Sequence, residues 1–245
     1  MSVERARSFG SVAELYDEFR PPPPPGAASL LGDLHSLKVL EVGAGTGIWS
    51  RFLVQLGAEL TIVEPDDDMR AVLQRRSPDV HALVGTAEAL PVDGASYDVV
   101  VSSSAWHWFR QPDARDEMAR VLVDGGRLFV LWNGFSRDVE WVQELISLRN
   151  NDAGPSGRPR GWRAAELSDG LFEDVTDISL DWTWPRTTEQ VASLFGTYSG
   201  VIMLTNEQKV VVDQRVRARL ASVAVDDLVE VPMTLRGTSA VRSAR

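Results

Sequence analysis

The chain contains no cysteine. That excludes a disulfide framework, thiolate catalysis and cysteine-ligated zinc, and no metal site is expected. Lysine is nearly as scarce, with only Lys38 and Lys209. No basic run exists and the formal net charge is -10. A protein that grips a phosphate backbone or an anionic bilayer wants clustered cations, so nucleic acid and membrane are not expected partners. No apolar run reaches the roughly 18 residues of a transmembrane helix. The opening segment Met1–Phe19 is charged and lacks the apolar core of a secretion signal. A cytoplasmic protein, monomeric or homodimeric, acting on a small molecule, is the expectation from these absences.

What is there suffices for a core. The 245 residues are 44% hydrophobic, which suits one α/β domain with additions. Residues 1–25 read as one or two short amphipathic helices, with Phe9, Val12, Leu15, Tyr16 and Phe19 at helical spacing, followed by five prolines, Pro21–Pro25. Such a run stops a helix and makes a stiff polyproline connector. From Leu37 the pattern changes to short β-branched runs separated by amphipathic stretches. Strands are expected at Leu37–Gly43, Leu60–Glu64, Val80–Gly85, Tyr97–Ser103 and Arg127–Asn133. Helices are expected at Thr46–Gly57, with Thr46 as cap, at Asp66–Arg76, whose three leading acids suit a helix N-terminus, and at Pro112–Val123. The alternation implies a parallel sheet with helices on both faces. Beyond Asn133 the rhythm loosens. Arg137–Asn150, Thr187–Tyr198 and Asn206–Leu220 read as helices, Asn151–Gly161 as a loop, and Phe172–Trp184 and Leu228–Val241 as strands.

The chemistry is concentrated in Glu41-Val42-Gly43-Ala44-Gly45-Thr46-Gly47, at the end of the first strand and the start of the first helix of this alternation. Glycines there allow a tight turn and let a ligand lie against the backbone. A nucleotide-type cofactor belongs at that position in an open α/β sheet. The spacing is G-x-G-x-G, with Ile48 where a dinucleotide fingerprint has its third glycine, and the lysine of a phosphate-binding loop is absent. Glu41 beside the loop repels pyrophosphate and suits an ammonium group. Glu64, at the end of the second strand, is placed to accept both hydroxyls of an adenosine ribose. Gly85–Pro91, after the third strand, can reach an adenine edge.

These segments resemble the class I S-adenosylmethionine-dependent methyltransferases, and more narrowly the bacterial group that includes trans-aconitate methyltransferase-like proteins. The resemblance rests on Ala13–Pro21, Val39–Gly47, Val63–Met69, Gly85–Pro91, Tyr97–Phe109 and Ala119–Trp132, in order and at the family's spacing. It implies one methyltransferase domain over residues 1–245 with a Rossmann-like, seven-stranded, mostly parallel sheet and helices on both faces. Residues 1–25 would be a lid helix and connector, 35–135 the cofactor-binding half, and 136–245 a substrate-binding half with helical insertions. The implied cofactor is S-adenosylmethionine, with S-adenosylhomocysteine as product. Gly43, Ala44, Gly45 and Gly47 would lie against its methionyl part and ribose, Glu41 near its amino group, and Glu64 on the ribose. Pro65, Met69, Thr86, Ala87 and Glu88 would surround the adenine, and Ser102 and Ser103 would line the methionyl pocket. Tyr16 and Arg20 would belong to the lid. Glu41 and Thr86 stand where the family often has aspartate.

Trp106-His107-Trp108 follows the fourth strand, where open α/β sheets bind substrate. His107 is the candidate base for a hydroxyl or amine nucleophile; the other reading is a packed histidine that fixes the loop. Trp106, Trp108, Trp132 and Tyr198 are the candidate substrate wall, against the alternative that they are core. Methyl transfer to an O or N atom of a small molecule, a secondary metabolite or carboxylic acid, is the expected activity. A non-methylating S-adenosylmethionine enzyme and a non-catalytic binding protein would carry the same motif. The Arg158-Pro159-Arg160 cluster suits an acidic substrate or a solvated loop.

Overall fold

The computed structural model describes residues 10, 12–148, 167 and 170–244. The loop expected at Asn151–Gly161, the arginines at 158 and 160, Trp162 and Phe9 lie outside the described residues. The chain divides into two compact units. One comprises residues 22–133, 159–180 and 235–245; the other comprises residues 1–21, 134–158 and 181–234.

The first unit opens with α2 (Ala27–Leu31); α1 (Ala13–Phe19) belongs to the second. It then alternates β1 (Lys38–Val42), α3 (Ile48–Gln55), β2 (Glu59–Val63), α4 (Asp67–Arg76), β3 (His81–Leu83), β4 (Tyr97–Ser103), α5 (Asp113–Val121) and β5 (Leu122–Phe135). Strands β6 (Phe172–Thr187) and β7 (Leu228–Arg242) complete a seven-stranded sheet of order β3-β2-β1-β4-β5-β7-β6. β1 pairs in parallel with β2 and β4, β2 with β3, and β4 with β5. β7 is reversed. Ser136 N–H donates to the Pro232 carbonyl while Gly237 lies against Val130, so β7 recedes as β5 advances. Thr234 and Thr238 donate to Asp181 and Asp177, which makes β7 and β6 antiparallel as well. The Rossmann-like, mostly parallel sheet expected from the sequence is therefore present.

Both faces of this sheet are covered, because a strand's side chains alternate sides and the central strands present apolar side chains on each face. Val39, Val99, Val101, Phe129 and Leu131 pack with Trp49 and Leu53 of α3 and Ala27 and Leu31 of α2. Leu40, Val42, Val100, Leu128 and Val130 pack with Ala114, Met118 and Val121 of α5. Helix α4 starts as its acids foretell: the Asp66 carboxylate accepts from the Asp68 and Met69 amides, at 3.1 and 3.0 Å. Thr46, in contrast, is not the cap of α3. Gly47 holds that position at φ +81°, and the Thr46 hydroxyl is buried without a hydrogen-bond partner. The segment Val123–Gly126 is a bulge inside β5, opposite a register shift between Tyr97 and Val99. Gly126 permits it, since a Cβ there would sit 2.9 Å from the Val123 carbonyl oxygen.

The second unit contains α1 (Ala13–Phe19), α6 (Glu140–Ser147), α7 (Thr188–Gly196), α8 (Ser199–Ile202) and α9 (Asn206–Ala221). Helices α7 and α9 both begin with capping boxes, Thr187 with Gln190 and Thr205 with Gln208. Their apolar sides meet in a core of Phe135, Val142, Leu145, Trp184, Val191, Phe195, Val212 and Val216. Among the described residues no helix is long and apolar enough to cross a membrane.

Candidate functional site

The loop from Gly43 to Gly47 leaves β1 at the middle of the sheet, with β2 on one side and β4 on the other. Its three glycines have positive φ, at +73°, +58° and +81°. They serve different ends. A Cβ on Gly43 would lie 2.6 Å from the Ala105 methyl carbon, so Gly43 is needed for packing. A Cβ on Gly45 would meet nothing within 4 Å, so the left-handed backbone there borders open space. Gly47 starts α3 with Leu73 close behind it.

Two glutamates lie behind this loop. Glu64 holds the loop in place: one carboxylate oxygen accepts from the Gly45 amide at 2.8 Å, the other from the Asp66 amide at 2.9 Å. Each carboxylate oxygen has two lone pairs, so two backbone bonds leave acceptor capacity for a hydroxyl. Burial pushes the Glu64 carboxyl above the usual carboxylate range, against the lowering effect of those two amides. Glu41 is 1% exposed and points from β1 toward α3, where the Ser50 hydroxyl donates to it at 2.5 Å. Burial pushes its carboxyl up to about 8, with the Ser50 bond opposing and nearby Glu64 reinforcing. Glu41 ties β1 to α3 beneath the loop.

Other expected residues sort by exposure. Pro65, Thr86 and Glu88 reach the surface, and Ser103 is half-buried. The side chains of Met69 and Ala87 are buried, which leaves Ala87 a backbone role. Ser102 is fully enclosed on the face that holds Val100 and Val130, and its hydroxyl has no partner. Alternation across the strand turns Ser102 inward, so it does not line a pocket. Trp106 is 1% exposed within the core and meets Phe109 edge-on, and it is likewise removed from the substrate wall. The segment Gly85–Pro91 is fixed in part by two α5 side chains, Glu117 and Arg120, that were not among the expected site residues. Glu117 accepts from the Leu90 amide at 2.8 Å, and Arg120 donates to the Leu90 and Val92 carbonyls. Glu88 accepts from the Arg110 amide at 2.6 Å. Such side-chain-to-loop bonds leave no periodic trace in a sequence.

After β4, the turn Ala105–Phe109 leans on the glycine loop through Ala105 and Phe109, both close to Gly43. Its His107 lies between two indoles, with ring centroids 4.7 Å from Trp108 and 6.2 Å from Trp132. The Trp132 Nε1–H donates to His107 Nδ1 at 3.2 Å. His107, Trp108 and Trp132 are partly exposed. In the second unit, Tyr16, Arg20 and Tyr198 form a cluster of their own. The Arg20 guanidinium is 4.6 Å from the Tyr16 ring centroid and 4.3 Å from that of Tyr198. It donates to the Thr197 hydroxyl and carbonyl, both at 2.9 Å.

The residues fit an adenosyl cofactor without phosphates. The loop offers open backbone at Gly45 with a carboxylate behind it, and Arg51 of α3 donates to the Thr46 carbonyl. Among the described residues no group of three or more His, Asp or Glu side chains is arranged to hold a metal ion.

Comparison with known proteins agrees with this site. A methyltransferase-domain family model matches residues 40–130. An uncharacterized methyltransferase of Mycobacterium tuberculosis is 34% identical over 215 residues, which covers 88% of this chain and 86% of that protein. A solved structure described as a type II methyltransferase, from Anaeromyxobacter dehalogenans, superposes with a TM-score of 0.65 at 21% identity, over 93% of this chain and 98% of that one. A phosphoethanolamine N-methyltransferase of Haemonchus contortus, solved with phosphomonomethylethanolamine and S-adenosylhomocysteine, gives 0.63 at 13% identity, over 99% of this chain and 59% of that one. The chain belongs to the methyltransferase family and is a class I enzyme whose methyl donor is S-adenosylmethionine. The names of these relatives do not include the trans-aconitate activity of the narrower resemblance.

Proposed function

We propose that the enzyme transfers the methyl group of S-adenosylmethionine to an O or N atom of a small molecule, with carboxylic acids and secondary metabolites as the first classes to screen. The observation that carries this reading is the turn Ala105–Phe109. It leans on the glycine loop and sets a partly exposed imidazole and indole beside it.

S-adenosylmethionine supplies a methyl group already activated by its sulfonium. What remains for the protein is to bind, to align the acceptor and to exclude water. The backbone at Gly45 and the Glu64 carboxylate suit the adenosine part, and Thr86 and Glu88 suit the adenine edge. Trp108 and Trp132 offer flat apolar faces for a small acceptor, and their rings restrict the water that reaches it. Tyr16 and Arg20 retain their proposed role as residues of a lid helix.

Calorimetric titration of the full chain tests the cofactor part, with S-adenosylmethionine, S-adenosylhomocysteine and NAD. Micromolar binding of the two sulfur ligands and none of NAD is the expected result. A product screen by mass then reads the transferred methyl. Binding of NAD alone would overturn the reading.

A further inference from the structure

Helix α9 carries more apolar surface than the core of the second unit uses. Val212, Val216 and Leu220 point into that core and are buried. The opposite side is exposed, and Glu207, Val211, Gln214 and Ala218 recur on it at the spacing of one helical stripe, flanked by Val210 and Arg215. Val210 is 54% and Val211 42% exposed. A β-branched residue lowers helix stability in water, so two valines on a solvated helix face have no purpose within the chain.

The charges on this stripe follow a pattern. Other arginines of α9 are paired, Arg217 with Asp213 and Glu189, and Arg219 with Glu144. Arg215 forms no ion pair among the described residues, and the helix places no acid three or four residues from it. Glu207 forms no ion pair among them either. Its carboxylate accepts from its own amide and from the Thr205 hydroxyl, which hold it below the usual carboxylate range and ionised. The two charges stand four residues to either side of Val211, about 6 Å along the axis each way. Within one chain they are therefore about 12 Å apart and do not meet.

We propose that this face of α9 packs on the same face of a second copy of the chain, antiparallel about a twofold axis at Val211. A twofold contact must be self-complementary, with residue i meeting j while j meets i. The rotation that lays Val211 on its counterpart brings Glu207 of each copy to Arg215 of the other, so two ion pairs flank an apolar centre of Val210 and Val211. Gln214 and Ala218 set neither charge nor bulk against the contact. A parallel pairing would oppose Glu207 to Glu207 and Arg215 to Arg215, and like charges disfavour it. Helix α9 has 16 residues and is about 24 Å long. A contact confined to it falls short of the roughly 800 Å² per partner of a standard interface, so the dimer is weak, with a dissociation constant on the order of tens of micromolar.

Sedimentation equilibrium of the full-length protein from about 1 to about 500 μM tests this. A monomer–dimer equilibrium is expected, and a monomer throughout overturns the inference. Val211→Glu places an acid at the twofold axis and gives Arg215 a partner four residues away in its own chain, so association should weaken at least about tenfold. A dimer of unchanged strength in that variant overturns the placement on α9. Glu207→Lys and Arg215→Glu each turn both cross-pairs into like charges, and each variant alone should associate at least about tenfold more weakly than the parent. Mixed in equal amounts, the basic stripe of one meets the acidic stripe of the other, and association should recover to within about threefold of the parent. A mixture that associates no better than its components overturns the antiparallel pairing. Thermal unfolding of each variant should match the parent closely. If Glu207→Lys unfolds early, Val211→Glu and Arg215→Glu, both away from the helix end, decide the question by themselves.

Discussion

Replacing Glu41 by glutamine will flatten the dependence of stability on pH. In the folded chain this carboxyl titrates at about 8, whereas its ordinary value is 4.5. The cause is burial between β1 and α3, where water cannot solvate the charge. Below the ordinary value both the folded and the unfolded chain hold the proton, and the full stability is present. As pH rises toward 8 the unfolded chain ionises while the folded chain stays neutral, so stability falls. Above 8 both states are ionised and the loss is complete. A shift of that size corresponds to roughly 5 kcal/mol, an upper bound because the structure relaxes around the charge. Glutamine has the same shape, keeps an oxygen for the Ser50 hydroxyl and does not titrate. Urea unfolding at intervals between pH 5 and pH 9 measures the difference. The stability of the parent protein should fall relative to Glu41→Gln by several kcal/mol across that span, and the gap should open mainly between the two titration points. Parallel curves would refute the reasoning and show that Glu41 is ionised in the folded state. Cofactor affinity in Glu41→Gln should stay within about threefold at neutral pH, since glutamine, like the protonated acid, carries no charge there.

The glycines separate by what surrounds them. Gly45→Ala should cost about 1 kcal/mol of stability from its positive φ and weaken S-adenosylhomocysteine binding at least tenfold, because the added methyl occupies the space beside the loop. Gly43→Ala should cost more stability, since its methyl collides with Ala105, and thermal unfolding compares the two. Arg20→Ala removes two hydrogen bonds to Thr197 and the stacking on Tyr16 and Tyr198, so α1 should become cleavable by limited proteolysis while α9 stays protected. Thr205→Ala breaks the capping box of α9 and should lower stability by about 1 kcal/mol, with no effect on cofactor affinity.

The sequence by itself determined the alternation of strands and helices, the position of the glycine loop and the class of cofactor. Each depends on residues close together in the chain. Apolar runs such as Tyr97–Ser103 show their strand locally, Asp66 caps α4 from beside its own first turn, and the closely spaced Gly43, Gly45 and Gly47 mark a left-handed turn. Side-chain direction was less legible. Ser102 and Ser103 look alike in sequence, yet the pleat turns one into the core and leaves the other half-buried. Thr46 looked like a cap, but Gly47 takes that place because only the left-handed backbone enters α3 there. Only the tertiary structure decided that β7 lies between β5 and β6, that Glu41 is enclosed and bonded to Ser50, and that the Trp132 indole N–H meets His107. These pairings join residues from separate elements, and each depends on the strand order and on the depth at which a side chain is buried. A hydrogen bond acts over about 3 Å of space whatever the distance along the chain, so the partner of His107 is fixed by the packing of β5 beside β4.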